Sequence, residues 1–380
     1  MSQADSPPDQ AALLQSAQRV VIKIGSALLV EEEGGRIRYD WLDSLAADLA
    51  ALAGERKELI VVSSGAIAVG RRQLDLPDKR LRLEEKQAAA ATGQIRLAHA
   101  YQEALARYDI KVAQVLLTLE DTEARRRHLN ARSTLNTLLK YRAVPVINEN
   151  DTVATSEIRV GDNDRLAARV AAMMDADALI LLSDIDGLYT ADPKRDPTAT
   201  HLPLVEELTP EIEAMSGDAL PGMSTGGMVT KLAAARIAVT AGCRMAIANG
   251  TLEHPLRAIL QGRRCTWFLS DVEPLAARKS WISASLKPAG ILVVDDGALL
   301  ALQRGRSLLP AGVRAVEGTF QRGDAVVVHD LRGHEIARGL SAYNAEDAGR
   351  IIGHNSRDIE EILGYRGREE LIHRDDLVLS

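Results

Sequence analysis

Two lysines and one aspartate are the residues best suited to chemistry in this 380-residue chain. Lys23 lies inside the β-branched run RVVIKI, where a buried ammonium group is costly unless it reaches a polar partner. Lys231 and Asp164 each stand at the start of a predicted helix. Phosphoryl transfer needs positive charge on the oxygens of the transferred group, and an aspartate between two lysines would hold their ammonium groups in position. We therefore predict that Lys23, Lys231 and Asp164 form a phosphoryl-transfer group.

The glycine-rich segment before the second lysine is predicted to bind phosphate. Residues 222–231 read GMSTGGMVTK and lead into a predicted helix. Such a loop gathers backbone N–H donors at the positive end of the helix dipole. A loop that merely carries a solvated lysine is the alternative interpretation. The segment 65–72, GAIAVGRR, approaches the spacing of a P-loop, but it has arginine in place of the lysine and no following Ser or Thr, so we reject that motif.

Polar residues also follow two other predicted strands. The turn Ser63-Ser64-Gly65 precedes a helix and exposes backbone N–H groups to a carboxylate or a phosphate. Segment 146–164 carries the densest group of amides and carboxylates, namely Asn148, Glu149, Asn150, Asp151, Asp162, Asn163 and Asp164. These groups suit an ammonium group with neighbouring hydrogen-bonding atoms, or a metal, although the spacing is not that of an EF-hand. Helix capping by Asp162 or Asp164 is the plain structural alternative.

Composition argues against several classes of protein. The formal net charge of −7 is not that of a wholly basic nucleic-acid binder, and 3% aromatic residues are few for base stacking. Cys243 and Cys265 are too few for a disulfide framework or a four-cysteine zinc site. The sequence has no run of 18 apolar residues and no basic segment of a signal peptide at its start. We therefore expect no membrane association and a cytoplasmic location.

The first two-thirds of the chain alternate strand-like and helix-like segments. We predict strands over 19–24, 58–62, 111–117, 143–147, 178–182 and 244–248, and helices over 42–52, 88–106, 164–174 and 228–241. Alternation of this kind indicates βαβ units, and continuous apolar strands fit a sheet that is covered on both faces. The predicted fold class is α/β with a mostly parallel central sheet, whose strand ends would bind the ligand.

The pattern changes towards the end of the chain. From residue 290 onward the short strand-like runs GILVV, AVEGTF, DAVVVHD and EIARGLSAY recur between glycines, as is typical of a small β-barrel or sandwich. Residues 285–368 hold 11 Lys or Arg and 11 Asp or Glu, so this part is near neutral. We predict a flexible tail over 1–18, a main domain over 19–268, a linker with some helix over 269–288, a barrel-like domain over 289–368 and a tail over 369–380.

Several motifs resemble those of glutamate 5-kinases, in the amino-acid kinase superfamily. They are KIGS at 23–26, VVSSGAIAVG at 61–70, VPVINENDTVAT at 144–155, VGDNDRLAA at 160–168, LLSDIDGLYTADP at 181–193 and GMSTGGMVTKLAAA at 222–235. Residues 290–366, with SLLPAGV at 307–313, resemble the PUA domain that many bacterial members carry. The resemblance implies a three-layer sandwich of the amino-acid kinase fold, followed by a small PUA domain of β-barrel type.

The resemblance also implies an activity. Glutamate 5-kinases transfer the γ-phosphoryl group of ATP to the side-chain carboxylate of L-glutamate, with Mg²⁺, as the first step of proline biosynthesis. Feedback inhibition by proline and a dimeric or tetrameric homo-oligomer are expected with it. No residue is assigned as a metal ligand, because the ATP phosphates and water are expected to hold most of the Mg²⁺ coordination shell.

The motifs carry the family's functional residues onto this chain. Lys23, Lys231 and Asp164 are the implied catalytic residues. The implied glutamate-binding residues are Ser64, Gly65, Asn148, Asp151, Asp162 and Asn163, with Asp151 the partner of the substrate ammonium group. The implied nucleotide-binding residues are Lys23, Ser183, Asp184, Thr225, Gly226, Gly227, Met228, Val229, Thr230 and Lys231.

Two alternative functions stay open at this point. Another amino-acid kinase would phosphorylate a different carboxylate, a carbamate or a nucleotide, although the INEND and GDND segments favour glutamate. An RNA-binding module would act through the PUA-like end of the chain. The near-neutral charge of that end and its few aromatic residues weaken this second alternative without closing it.

Overall fold

The computed structural model describes residues 10–31, 34–77, 81–153, 162–215, 227–277, 279 and 288–380. The chain divides into two compact units, Met1–Glu123 with Asn130–Pro274, and Ala124–Leu129 with Leu275–Ser380. Within the described ranges, no helix has both the length and the apolar character that crossing a bilayer requires. Each unit is built on its own sheet and its own apolar core.

The first unit is built on an eight-stranded sheet in the order β3-β4-β2-β1-β5-β9-β10-β8. Neighbours from β3 to β9 are parallel, and β10 is antiparallel to β9, so the sheet is mostly parallel, as predicted. The strands are β1 (Arg19–Ile24), β2 (Glu58–Ser63), β3 (Lys111–Leu117), β4 (Ala143–Glu149), β5 (Ala178–Ser183), β8 (Leu204–Val205), β9 (Arg244–Asn249) and β10 (Cys265–Phe268), and a separate pair joins β6 (Leu188–Tyr189) to β7 (His201–Leu202). All six predicted strands are confirmed, four of them one or two residues longer than expected.

Helices cover both faces of this sheet. They are α1 (Gln10–Gln15), α2 (Ser26–Leu29), α3 (Tyr39–Gly54), α4 (Ala66–Gln73), α5 (Leu83–Ala106), α6 (Leu119–Glu123), α7 (Arg125–Lys140), α8 (Asp162–Met173), α9 (Pro210–Ala214), α10 (Met228–Thr240) and α11 (Pro255–Leu260). Apolar residues of α3 and α5 pack with Val20 and Ile22 in one core. Residues of α8 and α10 pack with Val21 in a second core. Because side chains alternate between the faces of a strand, β1 serves both cores, which confirms the three-layer α/β fold.

The beginning of the described chain is packed rather than free. Leu14 and Ala17 are fully buried in the core shared by α3 and α5. The backbone N–H of Gln18 also donates to Asp177 Oδ2 at 2.8 Å. The prediction of a flexible tail over 1–18 is therefore wrong for residues 10–18, because the apolar residues of α1 have a core surface to cover. Residues 1–9 lie outside the described part.

The second unit holds a five-stranded sheet in the order β12-β11-β13-β14-β15. Its strands are β11 (Gly290–Val294), β12 (Val313–Gly318), β13 (Ala325–His329), β14 (Glu335–Leu340) and β15 (Leu377–Leu379). Its helices are α12 (Asp296–Gln303), α13 (Ala345–Ile351) and α14 (Ile359–Leu363), and they pack over a core of their own. The four predicted strands of this small β domain are confirmed.

The predicted tail over 369–380 is wrong. Leu371 and Ile372 are fully buried, and β15 pairs antiparallel with β14. The short run of apolar residues at 377–379 completes the sheet, although no turn signal marks it as a strand. Of the predicted linker over 269–288, residues 278 and 280–287 lie outside the described part.

Two glycines allow α4 and α5 to meet at backbone contact. A Cβ atom on Gly70 would lie 1.7 Å from the carbonyl oxygen of Ala89. A Cβ atom on Gly93 would lie 1.9 Å from the carbonyl oxygen of Ala66. The two helices can therefore cross at this distance only because neither glycine has a side chain. This crossing positions the start of α4, which follows the turn after β2.

We predict that Gly70→Ala destabilises the protein by about 1–3 kcal/mol, because its methyl group must force the two helices apart. The matched control is Gly54→Ala, at the exposed end of α3, where a Cβ atom meets nothing within 4 Å. Both substitutions restrict the unfolded chain equally, so their difference reports the folded state. Thermal and urea unfolding would measure it, and equal stabilities of the two variants would contradict the role of this crossing.

Candidate active site

The carboxyl ends of five neighbouring parallel strands form one edge of the main sheet. In the order β4-β2-β1-β5-β9, β1 lies at the centre, and Ile24 is in register with Ser63 on one side and Leu182 on the other. The backbone N–H of Ser64 donates to the carbonyl of Ile24 at 3.1 Å. The polar residues that follow these strands in the sequence therefore come together, as expected of an open parallel sheet.

Asp164 lies between the two predicted lysines. Lys23 Nζ is 2.6 Å from Asp164 Oδ1, and Lys231 Nζ is 3.5 Å from Asp164 Oδ2. Thr230 Oγ1 donates to Asp164 Oδ2 at 2.9 Å. Asp164 is only 1% exposed, and the lysines are 8% and 7% exposed. The predicted convergence of these three residues is confirmed, with Thr230 as an additional partner.

Helix starts bring these groups to the strand ends. Asp164 is in the first turn of α8, and Thr230 and Lys231 are in the first turn of α10. The two helices pack together, with Leu166, Ala234 and Ala235 in the same core. Lys23 reaches the same place from β1, the central strand.

Burial and charge act in opposite directions in this group. Burial lowers the pKa of Lys23, because desolvation of its ammonium group outweighs the attraction of Asp164. Burial by itself would raise the pKa of Asp164, but the charges of Lys23 and Lys231 outweigh it and hold that pKa below its ordinary value. Asp164 is therefore a carboxylate at neutral pH. With both lysines protonated, the group carries one net positive charge in a desolvated place, which suits a phosphoryl group.

A chain of amide groups lies beside the charged group. Asn163 Nδ2 donates to Ser64 Oγ at 2.8 Å and to Asn148 Oδ1 at 3.3 Å. The backbone N–H of Glu149 also donates to Asn148 Oδ1, at 2.8 Å. Three of the predicted substrate residues are thus in direct contact, although 15 and 99 positions separate them along the chain.

The remaining predicted substrate residues are near these elements in the chain. Gly65 precedes α4 with φ of +108°, and a Cβ atom there would lie 2.9 Å from Val30 Cγ2, so glycine is required on both counts. Asp151 is 7% exposed and begins a 3₁₀ turn two residues after β4. Asp162 is the first residue of α8, and its side chain lies outside the described part.

Sequence reasoning missed Gln94, which joins the amide chain. Asn148 Nδ2 donates to Gln94 Oε1 at 2.8 Å, and Gln94 is only 7% exposed. The residue lies on the buried side of α5, with Ala90, Leu97 and Tyr101. A glutamine in an otherwise apolar helical stripe was the available signal, but the segment reads simply as an alanine-rich helix.

The predicted nucleotide residues lie at the end of β5 and the start of α10. Ser183 Oγ donates to Asp184 Oδ1 at 3.1 Å, and the carbonyl of Ser183 accepts from the N–H of Gly250 at 2.7 Å. Gly227 precedes α10, and Met228, Val229, Thr230 and Lys231 form its first turn. Thr225 and Gly226 lie outside the described part. The described residues contain no group of three or more His, Cys, Asp or Glu side chains arranged to hold a metal ion.

Known proteins resemble this chain in sequence along nearly its whole length. The model of the amino acid kinase family matches residues 18–249, and that of the PUA domain matches residues 290–363. A glutamate 5-kinase of Paramagnetospirillum magneticum is 65% identical over 97% of this chain and 99% of its own length. One from Rhodospirillum rubrum is 64% identical over 95% of this chain and 96% of its own length. A solved UMP kinase of Bacillus anthracis is 15% identical, and the match covers 67% of this chain and 97% of that one with a TM-score of 0.47.

The architecture and the charged site define a kinase of the amino acid kinase type with an appended PUA domain. The chain belongs to the amino acid kinase family, and within that family to the glutamate 5-kinases.

We predict that Asp164→Asn destabilises the protein by about 3–5 kcal/mol at neutral pH, because it leaves two buried ammonium groups without their counter-ion. The pKa of Asp164 in the folded protein is below its ordinary value. The ionised carboxylate therefore stabilises the folded protein fully above the ordinary pKa, and this stabilisation is lost as the pH falls through the folded pKa. Urea unfolding at about pH 7 would measure the difference in free energy of unfolding between wild type and Asp164→Asn. Repeated below the ordinary carboxyl pKa of about 4, it should give a smaller difference.

The matched control is Glu31→Gln, which breaks the exposed pair of Glu31 with Arg36 at 2.9 Å. Exposed pairs of this kind contribute about 0–1 kcal/mol. A loss at Asp164 no larger than the loss at Glu31 would show that the buried carboxylate does not hold the lysines in place.

Proposed function

We propose that this site transfers the γ-phosphoryl group of ATP to the side-chain carboxylate of L-glutamate, the first step of proline biosynthesis. The observation that carries the proposal is the buried Lys23–Asp164–Lys231 group beside the polar chain of Ser64, Asn163 and Asn148. The 65% identity to a glutamate 5-kinase over nearly the full length of both chains supports the same reaction.

The acceptor needs no general base. A glutamate side chain, with an ordinary pKa of about 4.3, is already a carboxylate at neutral pH. One of its oxygens attacks the γ-phosphorus, the bond to the β–γ bridging oxygen breaks, and ADP leaves with that electron pair. Asp164 therefore acts as the residue that positions both lysines, which agrees with its lowered pKa and its two ion pairs.

The lysines stabilise the charge that moves during transfer. Lys23 and Lys231 are held by opposite oxygens of one carboxylate, so their ammonium groups are oriented before the substrates bind. Preorganised positive charge in a desolvated site favours the transition state, because little further reorganisation is needed. Thr230 limits the rotation of Asp164 by donating to Oδ2.

The polar residues beside the lysines bind the amino acid. Asp151 supplies the negative charge for the substrate ammonium group. The hydrogen-bonding atoms come from Ser64, Asn148 and Asn163, with the backbone of Gly65 and the carboxylate of Asp162 completing the set. Proline carries the same α-carboxylate and a similar cationic nitrogen, so these residues also suit it as a feedback inhibitor.

The nucleotide lies across the start of α10 and the end of β5. Gly227, Met228 and Val229 provide backbone N–H groups for the phosphates. Thr225, Gly226 and Thr230 are assigned to the same nucleotide-binding segment. Ser183 and Asp184 contact the nucleotide from the next strand end. Mg²⁺ enters with ATP and is coordinated mostly by phosphate oxygens and water, where it neutralises phosphate charge. The enzyme works as a homo-oligomer, a dimer or a tetramer, in the cytoplasm.

We predict that Lys231→Ala lowers kcat by about two to three orders of magnitude, because it removes preorganised charge from the transferred group. An ATP-dependent hydroxamate assay with glutamate measures the turnover, and circular dichroism checks the fold. Lys140→Ala, at the exposed end of α7, is the matched control and should keep wild-type turnover. Wild-type turnover in Lys231→Ala would remove this lysine from the reaction.

We predict that Asp151→Asn raises the KM for glutamate by at least about tenfold and leaves the KM for ATP unchanged, since it removes the charge that pairs with the substrate ammonium group. Asp192→Asn, in an exposed loop, is the control. The same assay with aspartate and N-acetylglutamate tests the substrate itself. Phosphorylation of either of these in preference to glutamate would overturn the assignment of the acceptor.

A further inference from the structure

Two buried polar atoms near the amide chain have no hydrogen-bond partner among the described residues. They are Gln94 Nε2, a donor, and Asn163 Oδ1, an acceptor. Burying an unpaired donor or acceptor costs about 1–3 kcal/mol, so folded proteins rarely leave one without a reason. Their residues are joined through Asn148, which contacts both. The two atoms therefore belong to one polar surface.

The hydrogen bonds of Asn148 define which atom of Gln94 is left over. Asn148 Oδ1 accepts from both Asn163 and the backbone of Glu149, so its Nδ2 must be the atom that faces Gln94. Only the oxygen of the Gln94 amide can accept from that Nδ2. The NH₂ group of Gln94 is thereby turned away from Asn148 and remains a donor.

The backbone holds Gln94 in this place. Its neighbour Gly93 is in contact with Ala66, the first residue of α4, because glycine leaves no Cβ atom between the helices. Ala66 directly follows Gly65, in the turn after β2. Gln94 thus extends from the α4–α5 crossing towards Asn148, on β4.

The strand order separates Gln94 and Asn148 from the lysines. Asn148 is on β4, and Lys23 is on β1, two strands away across β2. Neighbouring strands lie about 4.8 Å apart, so the two ends are about 10 Å apart along the sheet edge. The reacting carboxylate of an amino acid must face the lysines. Its α-carboxylate and ammonium groups would then reach towards the amide chain.

We propose that Gln94 is a substrate-binding residue, whose Oε1 orients Asn148 and whose Nε2 donates to the α-carboxylate of the amino acid substrate. A carboxylate only accepts hydrogen bonds and an ammonium group only donates them. The unpaired Nε2 of Gln94 therefore matches the carboxylate, and the unpaired Oδ1 of Asn163 matches the ammonium group. This inference rests on the proposed glutamate site and adds a residue to it.

Two variants test the donor. Gln94→Glu keeps an oxygen for Asn148 and replaces the NH₂ donor with a second oxygen. Gln94→Met has a similar shape and neither donor nor acceptor. Gln102→Glu, on the exposed side of the same helix, is the matched control. The hydroxamate assay gives kcat, the KM for glutamate and the KM for ATP, and thermal unfolding reports the fold.

The expected result is a rise of about one to two orders of magnitude in the KM for glutamate in both Gln94 variants, because a hydrogen bond to a charged group is lost. The KM for ATP should not change. Burial raises the pKa of the new carboxyl in Gln94→Glu, so lowering the pH from about 8 to about 6 should protonate that carboxyl and restore a hydrogen-bond donor. The KM for glutamate of this variant should then move closer to that of wild type. Gln94→Met should show no such recovery.

An unchanged KM for glutamate in the folded Gln94 variants would overturn the proposal. A KM for glutamate that is raised equally at about pH 6 and about pH 8, in Gln94→Glu as well as in Gln94→Met, would also overturn it. If only one variant folds, a raised KM for glutamate in that variant supports the proposal and an unchanged KM overturns it. Either result would leave the proposed function intact, provided that the wild-type protein phosphorylates glutamate. A wild-type protein with no glutamate-dependent turnover would instead contradict the proposed function itself.

Discussion

One buried carboxylate between two lysines is the constraint on which the site depends. Asp164 is almost fully buried, and burial by itself would favour its neutral form. The ammonium groups of Lys23 and Lys231 keep it ionised, and it holds them in turn. Neither lysine would be stable in this place without the carboxylate, and the carboxylate would not stay ionised without them. The three charges therefore form one unit that carries net positive charge at the place where we propose that the phosphoryl group binds.

The parallel sheet makes that unit possible. The neighbouring parallel strands β4, β2, β1, β5 and β9 end at the same edge, so a lysine on β1 meets residues from the starts of α8 and α10 there. The chain leaves β1 through α3 to β2 on one side, and it leaves β5, the other neighbour of β1, through α10 to β9. The opening between connections that diverge in this way is where ligands bind in such folds. The α4–α5 crossing at Gly70 and Gly93 supports the neighbouring turn. The residues proposed to bind phosphate and those proposed to bind the amino acid thus lie at the same edge of the sheet.

The sequence was most informative where the pattern is local. Mostly apolar runs predicted six strands of the main sheet, and the central strands are apolar on both faces because helices cover both. Polar residues after those strands predicted Ser64, Asn148 and Asn163 as site residues, and the family resemblance implied Ser183. Local patterns failed for the two chain ends, because α1 and β15 are short and are stabilised by the surfaces they cover. Gln94 was missed for a related reason, since its partner Asn148 lies 54 positions away.

The amino-acid sequence by itself determined the α/β class, the alternation of strands and helices, the family and most of the residues that could carry chemistry. These follow from side-chain periodicity and from motifs that are contiguous in the chain. Only the tertiary structure decided which of those residues meet. The ion pairs of Asp164, the contact of Asn163 with Ser64 and the orientation of Gln94 join segments tens of residues apart. Their distances depend on strand order and helix packing, which no single segment contains.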